Sequence, residues 1–187
     1  SLRRSSGQAP KIAWTVVQQG MNIAAQTARR YHWFSENIKD LVCEPHSGIS
    51  SEIKVPTLNL VAKQSQNTRQ MSTELVQSGY TTLMKDIELL RHHSSELHQM
   101  AQLRLKDDNL TLLRLENKEF TWHPVAIENF SKSRYLEKIL AKICDQKPEN
   151  YENLLAQEGV GPKTIRALAL VSEVIYGAEP SYEDPAR

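Results

Sequence analysis

The sequence predicts an α+β chain, predominantly helical, with a small strand-containing N-terminal part followed by a helical C-terminal domain. Three observations predict it. Ile12 to Val17 is β-branched and aromatic and is bounded by Gly20, as strands are. From Thr82 to Leu105, apolar residues recur at three- and four-residue steps or their multiples, the spacing of one helical face. After Pro124 only helical spacing and helix stops follow, with a glycine bend at Gly159 to Gly161 between the last two helices.

Element by element, the strand from Ile12 leads into Asn22 to Ala28, a loop or a short helix. Tyr31-His32-Trp33-Phe34 suits a strand or a packed turn. Ser35 then reads as the N-cap of a short helix with Ile38, Leu41 and Val42 on one face. Pro45, Gly48 and Pro56 break the next stretch, leaving Ile49 and Ile53 or Val55 as short strand positions. Leu60-Val61, Met71, Leu75 and Val76 predict a helix from Asn59 that stops at Gly79. The long helix from Thr82 is punctuated by Asp107-Asp108-Asn109. Leu110 to Leu115 and Phe120 to Trp122 read as two short strands around Asn117-Lys118. Helices are expected at Ser133 to Cys144, Tyr151 to Gln157 and Pro162 to Tyr176. Three parts follow: 1–58, the remnant of a larger α/β domain; 59–122, a region of long helices; and 123–187, the C-terminal domain.

Composition narrows the function classes. The 187 residues carry 23 basic and 22 acidic side chains, a net charge of +1, so overall charge does not argue for nucleic acid. No apolar run approaches the roughly 20 residues that span a bilayer, and Ser1 to Gly7 lacks the apolar stretch of a secretory signal. Cys43 and Cys144 stand far apart with no CxxC partner and read as idle thiols of a reducing compartment, so the cytoplasm is expected. The first strand has no partner strand before it, and Glu183 to Arg187 brings no closing element. A fragment of a longer protein is the expectation.

Leu154 to Leu168 is the most informative stretch. An apolar pair ends one helix, Gly159-Val160-Gly161 makes the bend, and Pro162 occupies a first helical turn, where its missing N–H costs nothing. Glycines let backbone amides stand clear at a helix N-terminus, which favours an anion. Lys163 can reach a phosphate as a point charge, and Thr164 adds a hydroxyl. The order aliphatic, Gly, aliphatic, Gly, then a basic residue, with Ala167 inside the second helix, resembles the helix-hairpin-helix element of DNA repair enzymes, polymerases and ligases. That resemblance implies grip on the sugar-phosphate backbone without sequence preference. The same corner also arises where a glycine-ended helix meets a proline-started one with no ligand at all.

Other motifs are less specific. Gln18 and Gln19, at a strand end, can bond bases or sugars or simply form a polar exit. Arg29-Arg30-Tyr31-His32-Trp33 interleaves phosphate-matching guanidinium groups with rings that stack on bases, or snorkels beside an apolar anchor. Glu44-Pro45-His46 offers one acid–base pair, with no second ligand set at metal spacing. His92, His93 and His98 read as solvated helix residues, and no Walker loop, HExxH or GxSxG is present.

Taken together, Trp14 to Asn22, Thr27 to Phe34, Glu44 to His46, Thr57 to Lys63, His123-Pro124 and Gly159 to Gly177 resemble a prokaryotic family known only as domain of unknown function seven-six-three. Residues 85–117 and Leu2 to Pro10 depart from its pattern. The resemblance implies a longer parent, whose missing N-terminal half is rich in Gly, His, Trp and Lys, and nuclease-like or other DNA processing with no settled reaction. It makes Gln18, Gln19, Arg29, Arg30, His32 and His46 candidates without assigned roles; Glu44 joins the weak catalytic candidates through its pairing with His46.

Two functional classes therefore stand. In one, the chain grips nucleic-acid backbone through Gly159, Val160, Gly161, Lys163 and Thr164, either as a DNA-binding piece of a DNA-processing protein or as a non-enzymatic adaptor in which Arg29 and Arg30 form a second backbone patch. Any metal-assisted hydrolysis, with Mg²⁺ or Mn²⁺, is expected only of the parent, and no cofactor is evident in this chain. In the other, the hairpin merely shapes a corner in a protein-interaction module.

Overall fold

A computed structural model describes residues 12–23, 27–91 and 133–186. The chain divides into two compact units, Ser1–Lys63 with Tyr182–Arg187, and Gln64–Ser181. The expected boundary after residue 58 thus compares with one after Lys63, and the expected boundary after 122 lies outside the described residues.

The first unit holds an antiparallel sheet of β1 (Thr15–Asn22), β2 (Thr27–Phe34) and β3 (Gly48–Ser51), in that order. β1 and β2 pair without a break from Thr15 opposite Phe34 to Asn22 opposite Thr27. Pairing with Arg29 carries Gly20 through the strand that its glycine was expected to end. β2 is a full strand, because Tyr31 and Trp33 alternate with residues that face the other side of the sheet. β3 aligns Ile49 with Tyr31, and Ile49 is its buried anchor. Ile53 and Val55, the other expected strand positions, lie outside any strand.

The short helix expected after Ser35 does not form; turns and bends run through 35–44 instead. Two sets of bonds explain the difference. Ser35 donates its N–H to the Trp14 carbonyl and accepts the Trp14 N–H at its hydroxyl, so it prolongs the β1–β2 ladder. The Asp40 carboxylate accepts the Val42 and Cys43 amides at 2.6 and 2.9 Å, a side-chain turn that competes with helix.

The terminal stretch, expected to close nothing, is a built part of this unit. The Tyr182 carbonyl accepts the Thr57 amide at 3.0 Å, and the Glu183 carbonyl accepts Asn59 Nδ2 at 3.1 Å. Asp184 accepts the Val55 amide and pairs with Arg29.

In the second unit, α1 (Gln66–Gln77) follows a 3-10 turn at Lys63–Ser65. Helix was expected from Asn59, but Asn59 Oδ1 accepts the Ala62 amide and holds 59–62 as a turn. Gly79, at φ +97°, separates α1 from α2, which begins at residue 80 and is described to 91. The rest of the long helix, the strand pair at 110–122 and His92, His93 and His98 lie outside the described residues. α3 (Arg134–Gln146), α4 (Tyr151–Leu155) and α5 (Pro162–Val174) complete the unit.

Its core gathers Leu75, Val76, Leu83, Ile87, Leu90, Leu140, Ile143, Leu154, Leu168 and Val171. α5 packs most closely along α1, where small polar side chains allow the approach. Ser72 and Ser172 lie Oγ to Oγ at 3.3 Å, and each also donates to a carbonyl one turn back in its own helix. Satisfying these hydroxyls locally lets two polar residues sit in the core without an unmade bond.

Candidate functional site

The bend is assembled from the helices that flank it. α3 begins at Ser133, whose side chain accepts the Leu136 amide, and has Glu137 in its first turn. Lys147, at φ 45°, ends α3 in the left-handed region. Asn150 caps α4 by accepting the Asn153 amide at 2.8 Å, with Glu152 in the first turn. Both helix starts thus carry a capping side chain and an acidic residue, the usual means of satisfying first-turn amides.

α5 has neither. Its N-cap is Gly161, it makes no side-chain cap bond, and its first turn contains no acidic residue. The first helical bond runs from the Ile165 amide to the Gly161 carbonyl at 3.1 Å. The start of this 13-residue helix thus has neither a side-chain cap nor an acidic first-turn residue, as is also true of α1.

The two glycines of the bend differ in kind. Gly159 has φ +89°, and a Cβ there would sit 2.3 Å from Ile139 Cδ1 of α3. The Val160 amide donates to the Gln157 carbonyl at 3.1 Å, closing the turn, and Val160 packs against the core. Gly161 has φ −142°, extended backbone that any residue adopts, and a Cβ there would meet nothing within 4 Å. Gly159 is needed by the fold. Gly161 leaves open space over the start of α5.

Lys163 is exposed beside that space, whereas Thr164 is only 3% exposed, so its hydroxyl is withdrawn from solvent. One more pair was not legible in the sequence. Lys142 Nζ, on α3, lies 2.8 Å from Glu158 Oε2 and 3.5 Å from the Glu158 carbonyl at the entrance of the bend. The Lys142 ammonium holds the Glu158 carboxyl below its ordinary range.

The sheet candidates divide between two faces. Register and alternation put Gln19 with Arg30 and His32 on one face, and Gln18 with Arg29, Tyr31 and Trp33 on the other. Arg30 Nε donates to Gln19 Oε1 at 3.1 Å and stays exposed. Arg29 is spent differently: its Nη2 lies 2.6 Å from Asp184 Oδ2 in a largely buried pair. Burial pushes the Asp184 carboxyl up, but the Ala186 and Val55 amides and Arg29 outweigh it and hold the group below its ordinary value.

His46 packs edge-on to Trp33, with ring centroids 4.6 Å apart, and tilted against Tyr31 at 5.2 Å. Burial lowers its pKa. Glu44, at φ 48°, pairs with Lys63 at 3.1 Å. Glu44 and His46 thus each have separate neighbours. Among the described residues, no three His, Cys, Asp or Glu side chains gather as a metal site. Cys43 and Cys144 are free thiols, and burial raises Cys144 to about 11. Among the described residues, no helix is long and apolar enough to cross a membrane.

A family model described as Protein of unknown function (DUF763) matches residues 9–187. The chain belongs to that family. The DUF763 match takes in the sheet, the terminal tail and the glycine bend alike. No curated protein and no solved structure matches the chain.

Proposed function

We propose that this DUF763 chain binds the sugar-phosphate backbone of DNA at the α4–α5 bend, which acts as a helix-hairpin-helix element within a DNA-processing protein. One observation carries the reading: α5 starts without a cap or an acidic side chain, beneath a glycine whose missing side chain the fold does not require. A phosphate oxygen entering over Gly161 meets first-turn amides and the helix dipole, with the Lys163 ammonium alongside. These groups read charge and shape rather than base edges, so binding is independent of sequence. Arg30, exposed on the sheet, is a candidate for a further backbone contact.

A second reading rests on Gly159 and Val160. The conformation of one and the internal bond of the other are explained by packing alone, as in a corner that only shapes a protein-interaction module. The two readings diverge at Gly161 and Lys163.

The deciding experiment is a mobility-shift titration over a range of salt, on single- and double-stranded DNA of unrelated sequences. Backbone binding weakens steeply with salt, and Lys163→Ala lowers affinity evenly across sequences while reducing the log–log slope by about 0.9. Affinity that is indifferent to Lys163→Ala removes the bend from nucleic-acid recognition.

A further inference from the structure

A different part of the molecule invites a partner of another kind. β1 is an edge strand: the sheet runs β1-β2-β3, and among the described residues no strand lies beyond β1. Its eight residues, TVVQQGMN, include no Lys, Arg, Asp, Glu or Pro. Natural edges are usually guarded by charge, proline, a bulge or a covering loop, because unpaired amides and carbonyls template further pairing. The unbroken register with β2 excludes a bulge within that ladder. Among the described residues nothing covers it: Val17 is 55% and Met21 67% exposed, and Ile12, just before the strand, 86%.

The outward bonding groups follow from the ladder. Ser35 donates to the Trp14 carbonyl, and bonded pairs alternate along antiparallel strands. Even-numbered residues of β1 therefore face β2, while Thr15, Val17, Gln19 and Met21 turn their amides and carbonyls outward. What completes such a row is another extended strand.

We propose that the occupant is β1 of a second copy of this chain, paired antiparallel about a two-fold axis at Gln18. In that register Val17 lies opposite Gln19, Thr15 lies opposite Met21, and the two Gln18 residues face each other. Every outward residue meets an outward residue, as the bonding pattern demands. Because β1 is uncharged, repeating it sets no like charges opposite one another. The facing Gln18 amides carry both donors and acceptors, so they satisfy each other. Apolar residues lie on both faces of β1, Val16 on one and Val17 and Met21 on the other, and β1 itself supplies that same distribution. The two three-stranded sheets become one of six strands.

One strand pair falls below the roughly 1,200 Å² of a standard interface, so the dimer is of the weak, concentration-dependent class. Sedimentation velocity on the 187-residue chain, from about 1 to about 500 µM, spans that class. The expected result is a reversible shift from monomer to dimer. Val17→Pro deletes an outward donor while leaving the β1–β2 bonds in place, and Val17→Lys adds a charge next to the axis. Both variants are expected to remain monomeric throughout the range with an unchanged far-UV spectrum. If Val17→Pro fails to fold, Val17→Lys decides alone. A wild-type chain that stays monomeric throughout the range overturns the proposal. A dimer that survives substitution at Val17 overturns it equally.

Discussion

Replacing the two glycines of the bend one at a time separates what the fold needs from what a ligand needs. At Gly159, φ is +89° and an added Cβ would lie 2.3 Å from Ile139 Cδ1. An L-residue held in left-handed backbone costs about 1–2 kcal/mol. Ile139 Cδ1 is the tip of its side chain, but Ile139 belongs to the core, so it leaves its rotamer or presses on its neighbours at about 1–2 kcal/mol more. Gly159→Ala therefore destabilises by about 2–4 kcal/mol. At about 2–4 °C per kcal/mol for a chain of this size, the melting temperature falls by roughly 4–16 °C. At Gly161 the backbone is extended and nothing stands within 4 Å. There Gly→Ala gains about 0.4–1 kcal/mol by restricting the unfolded chain and loses about as much through a poorer N-cap, for a net effect near zero. Gly161→Val is likewise expected to cost no more than about 1 kcal/mol, while filling the space over the amides. Thermal melting and the salt-titrated shift assay read the two quantities separately. The expected result is a low-melting Gly159→Ala, and a Gly161→Val that melts almost like wild type but binds DNA about tenfold or more weakly, the equivalent of 1.4 kcal/mol or more. Equal destabilisation at the two glycines would refute the packing argument. Wild-type affinity in Gly161→Val would refute the phosphate argument.

Three further outcomes are expected. Glu158→Gln frees Lys142 at the entrance of the bend and removes a negative charge there, so DNA affinity rises severalfold at low salt and the gain fades as salt increases; unchanged affinity at low salt separates that pair from the binding site. Asp184→Ala strips the partner from a largely buried Arg29 and from the Val55 amide, costing about 1–3 kcal/mol in a urea or thermal unfolding experiment; an unaffected transition contradicts the role given to the tail. Burial lowers the pKa of His46, so below about pH 6.5 the unfolded chain binds more protons than the folded one, and stability rises with pH through that window. His46→Phe flattens this part of the melting-temperature profile between pH 5 and pH 7, and a variant with the wild-type slope contradicts the assignment.

What the sequence made legible was local. The starts of α3 and α5 fall where Ser133 and Pro162 announce them, because a cap or a fixed φ acts within one turn. The bend at Gly159 is readable for the same reason. The helix expected after Ser35 was lost to a bond with Trp14, which lies 21 positions earlier and so leaves no trace in local spacing. Asp184 reads in the sequence as part of a trailing end because its partner Arg29 is 155 positions away. The candidate residues of the sheet were individually visible, but their sorting was not. Only the register shows that Gln19 belongs with Arg30, and that Gln18 lies on the face that carries Arg29. The difference between the two glycines was equally hidden, since it depends on where Ile139 of α3 comes to rest.

The return of the tail to the first unit has an architectural consequence. Residues 64–181 are flanked on both sides by sequence that belongs to one other body, so the helical portion is an insertion. Its entry and exit are already tied together, with Ser65 Oγ accepting the Ser181 amide at 2.9 Å. A module whose two ends meet can be excised, or have its termini relocated, with little penalty. The helical portion is thus expected to fold as an autonomous cassette, moveable between hosts at the cost of two adjacent joints.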